Sequence, residues 1–93
     1  MNNTLFVGID ISKRSNVATF MNCEGKVVGR LTFSNSGSGA DQLVAKILSY
    51  YEKGDFEAIR IGLENTSVYS KNLVWFLYEH EALNEHKLSI IPL

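Results

Sequence analysis

The hydrophobic pattern of this chain changes its period near residue 34, and that change limits the folds open to it. Up to Phe33 the apolar residues fall in short strand-like runs, whereas from Ala40 to Tyr51 they recur at helical spacing. A further strand-like run, a second helical run and a last short strand follow. The predicted order is therefore βββαβαβ, which is typical of an α/β domain.

The first three strands are predicted at residues 4–10, 16–21 and 26–33. The first is apolar on both faces, so we expect it to be central in the sheet. Residues 22–25 form a predicted turn in which Gly25 takes a positive φ. Because the links between these runs are short, the three strands should form an antiparallel meander.

The later elements are predicted by period and by the residues at their ends. Ser38 followed by Asp41 indicates a capping box at the start of the first helix, and Gly54 indicates its end. A strand, a helix and a short strand follow at residues 57–63, 68–79 and 88–91. We expect a mixed sheet in which the meander is extended by parallel strands, with flanking helices. The chain stops after a strand and Pro92 without a closing helix, so this fold should be truncated.

Two predictions concern where apolar side chains lie. By alternation we expect Val27, Leu31 and Phe33 on one face of the third strand, with Arg30 and Thr32 on the other. Trp75 lies in the second apolar helix, and we expect it in the core or in an interface.

Composition excludes several classes of protein. The 93 residues are 45% hydrophobic and 20% charged, which suits one small globular domain. The longest apolar run, residues 73–78, is far shorter than the roughly 20 residues that span a bilayer. A net charge of −1 is not the basic footprint of a stand-alone nucleic-acid binder. The single cysteine, Cys23, excludes an internal disulfide and a cysteine zinc cage, and a cytoplasmic location is expected.

The same three-residue pattern occurs at the ends of two predicted strands. Each reads glycine, aliphatic, acid: Gly8-Ile9-Asp10 and Gly62-Leu63-Glu64. If the two strands are parallel neighbours, both carboxylates emerge at one edge of the sheet, where open α/β sheets bind ligands. Two close carboxylates favour a cation between them, and oxygen ligands suit Mg²⁺ or Mn²⁺. The alternative is that these acids cap helices or lie in solvated turns.

Four segments of the chain resemble, in order and spacing, the DEDD-type insertion-sequence transposases, the group that includes the Piv and MooV DNA invertases. They are residues 8–13, Asn35 with Gly39 and Leu43, residues 64–69, and residues 90–92. Two positions depart from the family pattern: Ser67 stands where glycine is usual, and Ile91 where asparagine precedes the proline. These departures concern local loop geometry.

The resemblance implies a ribonuclease H-like fold, related to the Holliday junction resolvase RuvC. It implies that Asp10 and Glu64 are the first two of four catalytic acids that bind Mg²⁺ or Mn²⁺. In the family the other two acids, and a second domain with a strand-transfer serine, come later. Residues 1–93 would then be the N-terminal part of the nuclease domain, unable to cleave DNA alone. The implied partners are DNA, in some members a guide RNA, and further copies of the full-length protein.

Five further residues are candidate nucleic-acid contacts near the acids, each with a structural alternative. Lys13 and Arg14 follow Asp10 and could contact phosphates, or simply begin an exposed hairpin. Ser12 and Thr66 could position a ligand or cap local backbone groups. Tyr69 could stack on a base, although its helical stripe favours core packing.

Two other functions stay open on the residues alone. Sugar kinases and actin-like ATPases also open with a strand ending in Gly-Ile-Asp, but they usually continue into a Gly-Gly or Gly-Thr phosphate loop. Here residues 12–15 read Ser-Lys-Arg-Ser instead. A non-catalytic dimerisation or docking module is the other alternative, and the apolar helix around residues 73–78 suits it.

Overall fold

The computed structural model describes residues 3–12, 15–63, 68–84 and 87–92. Within these ranges the predicted order βββαβαβ is confirmed, with one additional short helix before the last strand. The elements are β1 (Thr4–Ile11), β2 (Asn16–Met21), β3 (Val27–Phe33), α1 (Gly37–Lys53), β4 (Ala58–Leu63), α2 (Val68–Glu79), α3 (Glu81–Asn84) and β5 (Lys87–Pro92). Helix α3 has four residues, too few to give a periodic signal in the sequence.

The strands form one mixed sheet in the order β3-β2-β1-β4-β5. β1 pairs antiparallel with β2, and β2 with β3, whereas β1–β4 and β4–β5 are parallel. β1 is the central strand, as its two apolar faces predicted. The predicted α/β class and mixed sheet are confirmed, and the architecture is compatible with a ribonuclease H-like fold.

The link between β2 and β3 is the predicted tight turn. The amide of Asn22 donates to the carbonyl of Lys26, and the amide of Gly25 donates to the carbonyl of Asn22, both at 3.0 Å. Gly25 has φ 82°, a conformation that glycine adopts at little cost. This turn makes β2 and β3 antiparallel, whereas the parallel pairs need the longer connections that α1 and α2 supply.

The core lies on one face of the sheet, against α1 and α2. Both helical connections step in the same direction along the sheet, so the right-handed crossover rule places both helices on that face. The buried residues come from alternate positions of the strands and from one stripe of each helix. They include Leu5, Val7, Ile9, Ala18, Phe20, Ile59, Ile61, Leu63, Leu43, Ile47, Leu73 and Leu77.

Helix α1 ends where predicted but begins at a different cap. Its N-cap is Ser36, which has extended backbone and whose hydroxyl accepts a hydrogen bond from the amide of Gly39 at 3.1 Å. The predicted cap, Ser38, lies inside the first turn, where its own backbone is helical and unsuited to that role. Gly54 is the C-cap, and the left-handed residue is the next one, Asp55, with φ 52°.

The prediction for Val27 is wrong, because β3 contains a bulge. Phe20 pairs with Gly29 and Met21 with Val27, so Val28 is an extra residue without a partner on β2. A bulge breaks the alternation of side chains along the strand. Val27 therefore does not share the face of Phe33: Val27 is 40% exposed, whereas Phe33, beyond the bulge, is buried.

The core position predicted for Trp75 is also wrong. Leu73 and Leu77, four residues apart, form the buried stripe of α2, and Trp75 lies between them on the opposite side of the helix, 66% exposed. Among the helices of the described ranges, none combines the length and apolar character needed to span a bilayer.

Candidate metal site at the carboxyl edge of the sheet

β1 and β4 run side by side in the same direction, which is the arrangement the two glycine–aliphatic–acid motifs required. Gly8 pairs with Gly62, and Ile9 pairs with Leu63. Neighbouring strands lie about 4.8 Å apart, so the two strands reach one edge of the sheet together. We call this edge, at Asp10 of β1 and Leu63 of β4, the carboxyl edge. Glu64, the residue after Leu63, lies outside the described residues.

Asp10 stands exposed at the carboxyl edge. It pairs with Val17 of β2, and alternation places its side chain on the face opposite the buried Ile9. Within the described parts of the chain, no hydrogen bond or ion pair engages its carboxylate. Asp10 therefore presents an uncommitted oxygen ligand to solvent.

The sheet surface beside Asp10 is unobstructed at Gly8. A Cβ atom placed on Gly8 would have its nearest neighbour, the Met21 Cε atom, at 4.0 Å. This is ordinary van der Waals contact, so a methyl group would fit at Gly8 on the side of Asp10 without displacing a neighbour. The glycine beneath the acid thus keeps the adjoining face of β1 free of a side chain of its own.

The turn after Asp10 is closed by Ser12. Its hydroxyl donates to the carbonyl of Ser15 and accepts from the amide of Ser15, the latter at 3.2 Å. This is the local capping role given above as the alternative to a ligand contact. Lys13, Arg14 and Thr66 lie outside the described residues, as does the side chain of Tyr69 in α2, so their predicted nucleic-acid contacts stay predictions.

Two asparagines that the chemical reasoning above did not single out hold the backbone of Ser12. Asn16, only 2% exposed, accepts from the Ser12 amide through Oδ1 at 3.2 Å. Its Nδ2 donates to Asn35 Oδ1 at 2.6 Å, and Asn35 Nδ2 donates to the Ser12 carbonyl at 2.8 Å. The signal for Asn16 was a polar residue at an inward position of β2. Asn35 entered only through the family resemblance.

The loop that carries Asn35 is packed tightly against α1. A Cβ atom on Gly39 would lie 2.1 Å from the carbonyl oxygen of Ser34, a distance that only glycine permits. The hydroxyls of Ser34 and Ser36 are 2.6 Å apart and hydrogen-bonded. Gly39 therefore lets the start of α1 approach this loop closely and fixes the place from which Asn35 reaches Ser12.

A cavity of about 220 Å³ lies between this loop and α2. It is on the helix-covered side of the sheet, whereas Asp10 is on the other face. Its walls combine amide, hydroxyl and aromatic groups: Asn16, Asn35, Ser36, Asn72, Phe33 and Phe76. The two asparagines thus separate this cavity from the turn that follows Asp10.

A complete metal centre is not formed by the described residues. Among them, no group of three or more histidine, cysteine, aspartate or glutamate side chains is close enough to hold an ion. They contribute one acid to the carboxyl edge, Asp10. Any metal bound here would need further ligands from outside these ranges, with Glu64 the first candidate by position in the chain.

Comparison with solved structures gives distant likenesses. The chain is similar to the crystal structure of the Aquifex aeolicus member of the Ppx/GppA protein family, with 13% sequence identity and a TM-score of 0.48. The match covers 97% of this chain and 35% of the other, so this chain spans about a third of that protein. A likeness at this level carries no inference about function. No curated protein matches the chain at a significant level.

A family model provides the stronger comparison. The model of the IS110-type DEDD transposases, described as transposase, matches residues 7–85. The matched stretch includes both acids of the glycine–aliphatic–acid motifs, the second half of β1 and every element from β2 to α3. The predicted resemblance is confirmed: this chain belongs to the IS110-type family of DEDD transposases.

Proposed function

We propose that this chain supplies the first two metal-binding acids, Asp10 and Glu64, of a transposase nuclease domain that acts on DNA. The observation that carries the proposal is the parallel register of β1 and β4, which pairs the residues directly preceding the two acids, Ile9 and Leu63. The family assignment favours this function over a sugar kinase or an actin-like ATPase.

The chemistry of Asp10 suits a hard divalent cation. Its carboxylate is exposed and has no partner among the described residues, and Gly8 places no side chain beside it on that face. Oxygen ligands of this kind favour Mg²⁺ or Mn²⁺. When bound, such ions stabilise the attacking and leaving oxygens of a phosphodiester. In this proposal, the role of Asp10 and Glu64 is to hold the ions at the carboxyl edge.

The remaining partners follow from the same proposal. DNA would reach the acids across the turn after β1, where Ser12, Lys13 and Arg14 are the candidate contacts, with Thr66 and Tyr69 beyond β4. A guide RNA, a cytoplasmic location and self-association of the full-length protein belong to this proposal as well. Trp75 and Tyr78, which are 66% and 51% exposed on α2, support self-association, because large exposed aromatic residues are typical of interfaces.

The test is a Mn²⁺ titration followed by amide NMR. We expect paramagnetic broadening around Asp10 and the end of β4, and we expect Asp10→Asn to weaken it strongly because the substitution removes a charged ligand. Asp55→Asn is the matched control, since Asp55 is an exposed acid at the other end of the sheet. Broadening that is equally strong in Asp10→Asn would contradict the proposal.

A further inference from the structure

We propose that Asn16 and Asn35 are positioning residues that aim the Asp10 carboxylate. The inference rests on the proposed function, because it takes Asp10 as a metal ligand. It concerns residues that contact neither the metal nor DNA in that proposal. They act through the backbone of Ser12, two positions after Asp10.

The first step of the argument is where the two asparagines hold the chain. Both backbone polar groups of Ser12 are bound by amide side chains: the N–H by Asn16 at 3.2 Å and the carbonyl by Asn35 at 2.8 Å. Only Ile11 separates Ser12 from Asp10. Asp10 thus lies between its strand pairing with β2 and a clamp just beyond it, so its backbone direction is fixed on both sides.

The second step is that the bonding pattern requires asparagine at both positions. Asn35 must accept from Asn16 through Oδ1 and donate to Ser12 through Nδ2, while Asn16 must accept from Ser12 and donate to Asn35. An aspartate has no such donor, and a hydroxyl side chain cannot supply both groups at this reach. The three hydrogen bonds close a ring in which each side-chain amide uses its donor and its acceptor.

The third step is the rigidity of the ring. Asn16 is 2% exposed, so water competes poorly for its two hydrogen bonds, and a buried amide whose donor and acceptor are both bonded holds its partners in one arrangement. The ring joins the end of β1, the start of β2 and the loop before α1. The close contact of Gly39 with the Ser34 carbonyl anchors that loop to α1. The direction of Asp10 is thereby tied to the packed helix layer.

The test compares Asn35→Ala with Asn3→Ala. Asn3 also holds a loop with its Nδ2, donating to the carbonyls of Gly54 and Asp55, but at the opposite end of the sheet. In Asn35→Ala we expect Mn²⁺ affinity at Asp10 to fall about tenfold, the lower range for losing a group that orients a metal ligand. We also expect faster hydrogen exchange of the Ser12 amide and averaging of the Asp10 χ1 couplings. Asn3→Ala should change none of these three quantities.

The outcomes separate this proposal from the one on which it rests. Wild-type Mn²⁺ affinity in Asn35→Ala would overturn the positioning role while leaving the metal site intact. An equal loss in Asn3→Ala would overturn it too, because the effect would then be general destabilisation. Absence of Mn²⁺ broadening near Asp10 in the unmodified chain would overturn the proposed function itself. If Asn35→Ala does not fold, Asn35→Ser replaces it, with an intermediate loss of affinity expected because one hydrogen bond is retained.

Discussion

Asparagine side chains hold loops at both ends of the sheet, but the two ends use them differently. Where β1 begins, Asn3 donates to the carbonyls of Gly54 and Asp55 at 3.2 and 3.3 Å, bonds exposed to solvent. At the carboxyl edge, the buried Asn16 and the exposed Asn35 form a closed ring with Ser12. The first arrangement fastens one loop, whereas the second joins three segments beside an exposed acid.

The difference shows what parallel pairing contributes. At the end where β1 and β4 begin, the chain arrives from separate loops and no acid motif is present. At the end where they finish, the register pairs Gly8 with Gly62 and Ile9 with Leu63, so the two strands reach one edge together. A rigid network is useful at that edge because the geometry of a metal ligand has to be held. Asparagine thus fastens a single loop at one end of the sheet and links three segments of the chain at the other.

The largest expected effect on stability concerns two glycines, Gly39 at the carboxyl edge and Gly54 at the other end of the sheet. In Gly39→Ala the new Cβ would lie 2.1 Å from the backbone oxygen of Ser34, which cannot move aside, whereas in Gly54→Ala it would meet the ring of Phe56 at 2.2 Å. We expect Gly39→Ala to lower the free energy of unfolding by about 2–3 kcal/mol despite the higher helix propensity of alanine. Gly54→Ala should cost less, because a side-chain ring can rotate. Urea denaturation of both variants measures the difference, and equal losses would contradict it.

The next effect concerns the two loop-holding asparagines. Asn16→Ala removes a buried amide and leaves Asn35 and the Ser12 amide without their partner, so we expect a loss of about 1–3 kcal/mol in the free energy of unfolding. Asn3→Ala breaks solvent-exposed bonds that water replaces, and we expect about 0.5–1 kcal/mol. Thermal or urea unfolding of both variants under the same conditions measures the two losses. A larger loss in Asn3→Ala would reverse the comparison of the two ends.

The smallest effect tests the helix cap at the carboxyl edge. Ser36→Ala removes the hydroxyl that accepts from the Gly39 amide, and we expect it to cost about 1 kcal/mol of unfolding free energy. Ser38→Ala is the matched control, since Ser38 lies in the first turn and alanine suits a helix. We expect a change within a few tenths of a kcal/mol there. If Ser38→Ala lowered the free energy of unfolding more than Ser36→Ala, then Ser38, the cap predicted from the sequence, would be the correct one.

The fold was largely predictable because its elements carry strong periodic signals. The stripe of Leu43, Val44 and Ile47 in α1 predicts a helix, and the short links between the first three strands predict a meander. What failed depends on local geometry that periodicity does not encode. The bulge at Val28 turns Val27 out to solvent, and Ser36 caps α1 because its backbone is extended there. Only Ser38 has an acid three residues later, so the sequence pattern favoured it over Ser36.

The candidate site was predictable only in part. Asp10 and Glu64 were found because their motifs repeat, and the parallel neighbours that the reasoning required are present in β1 and β4. Their roles as metal ligands stay predictions, as do those of the nucleic-acid contacts. The ring of Asn16, Asn35 and Ser12 could not be predicted, because Asn16 and Asn35 are 19 positions apart and nothing in an asparagine's neighbours along the chain indicates which amide it will meet.

The sequence by itself determined the order of strands and helices, the family of the chain and the identity of its two motif acids. Those properties follow from the spacing of apolar residues and from short motifs, and both can be recognised without a structure. Only the tertiary structure decided which residues hold the carboxyl edge in place. That decision depends on β2 and the loop before α1 meeting beside the end of β1. The close approach of α1 to that loop at Gly39 helps to set this meeting. Hydrogen bonds between distant segments form only after packing has brought their partners within reach.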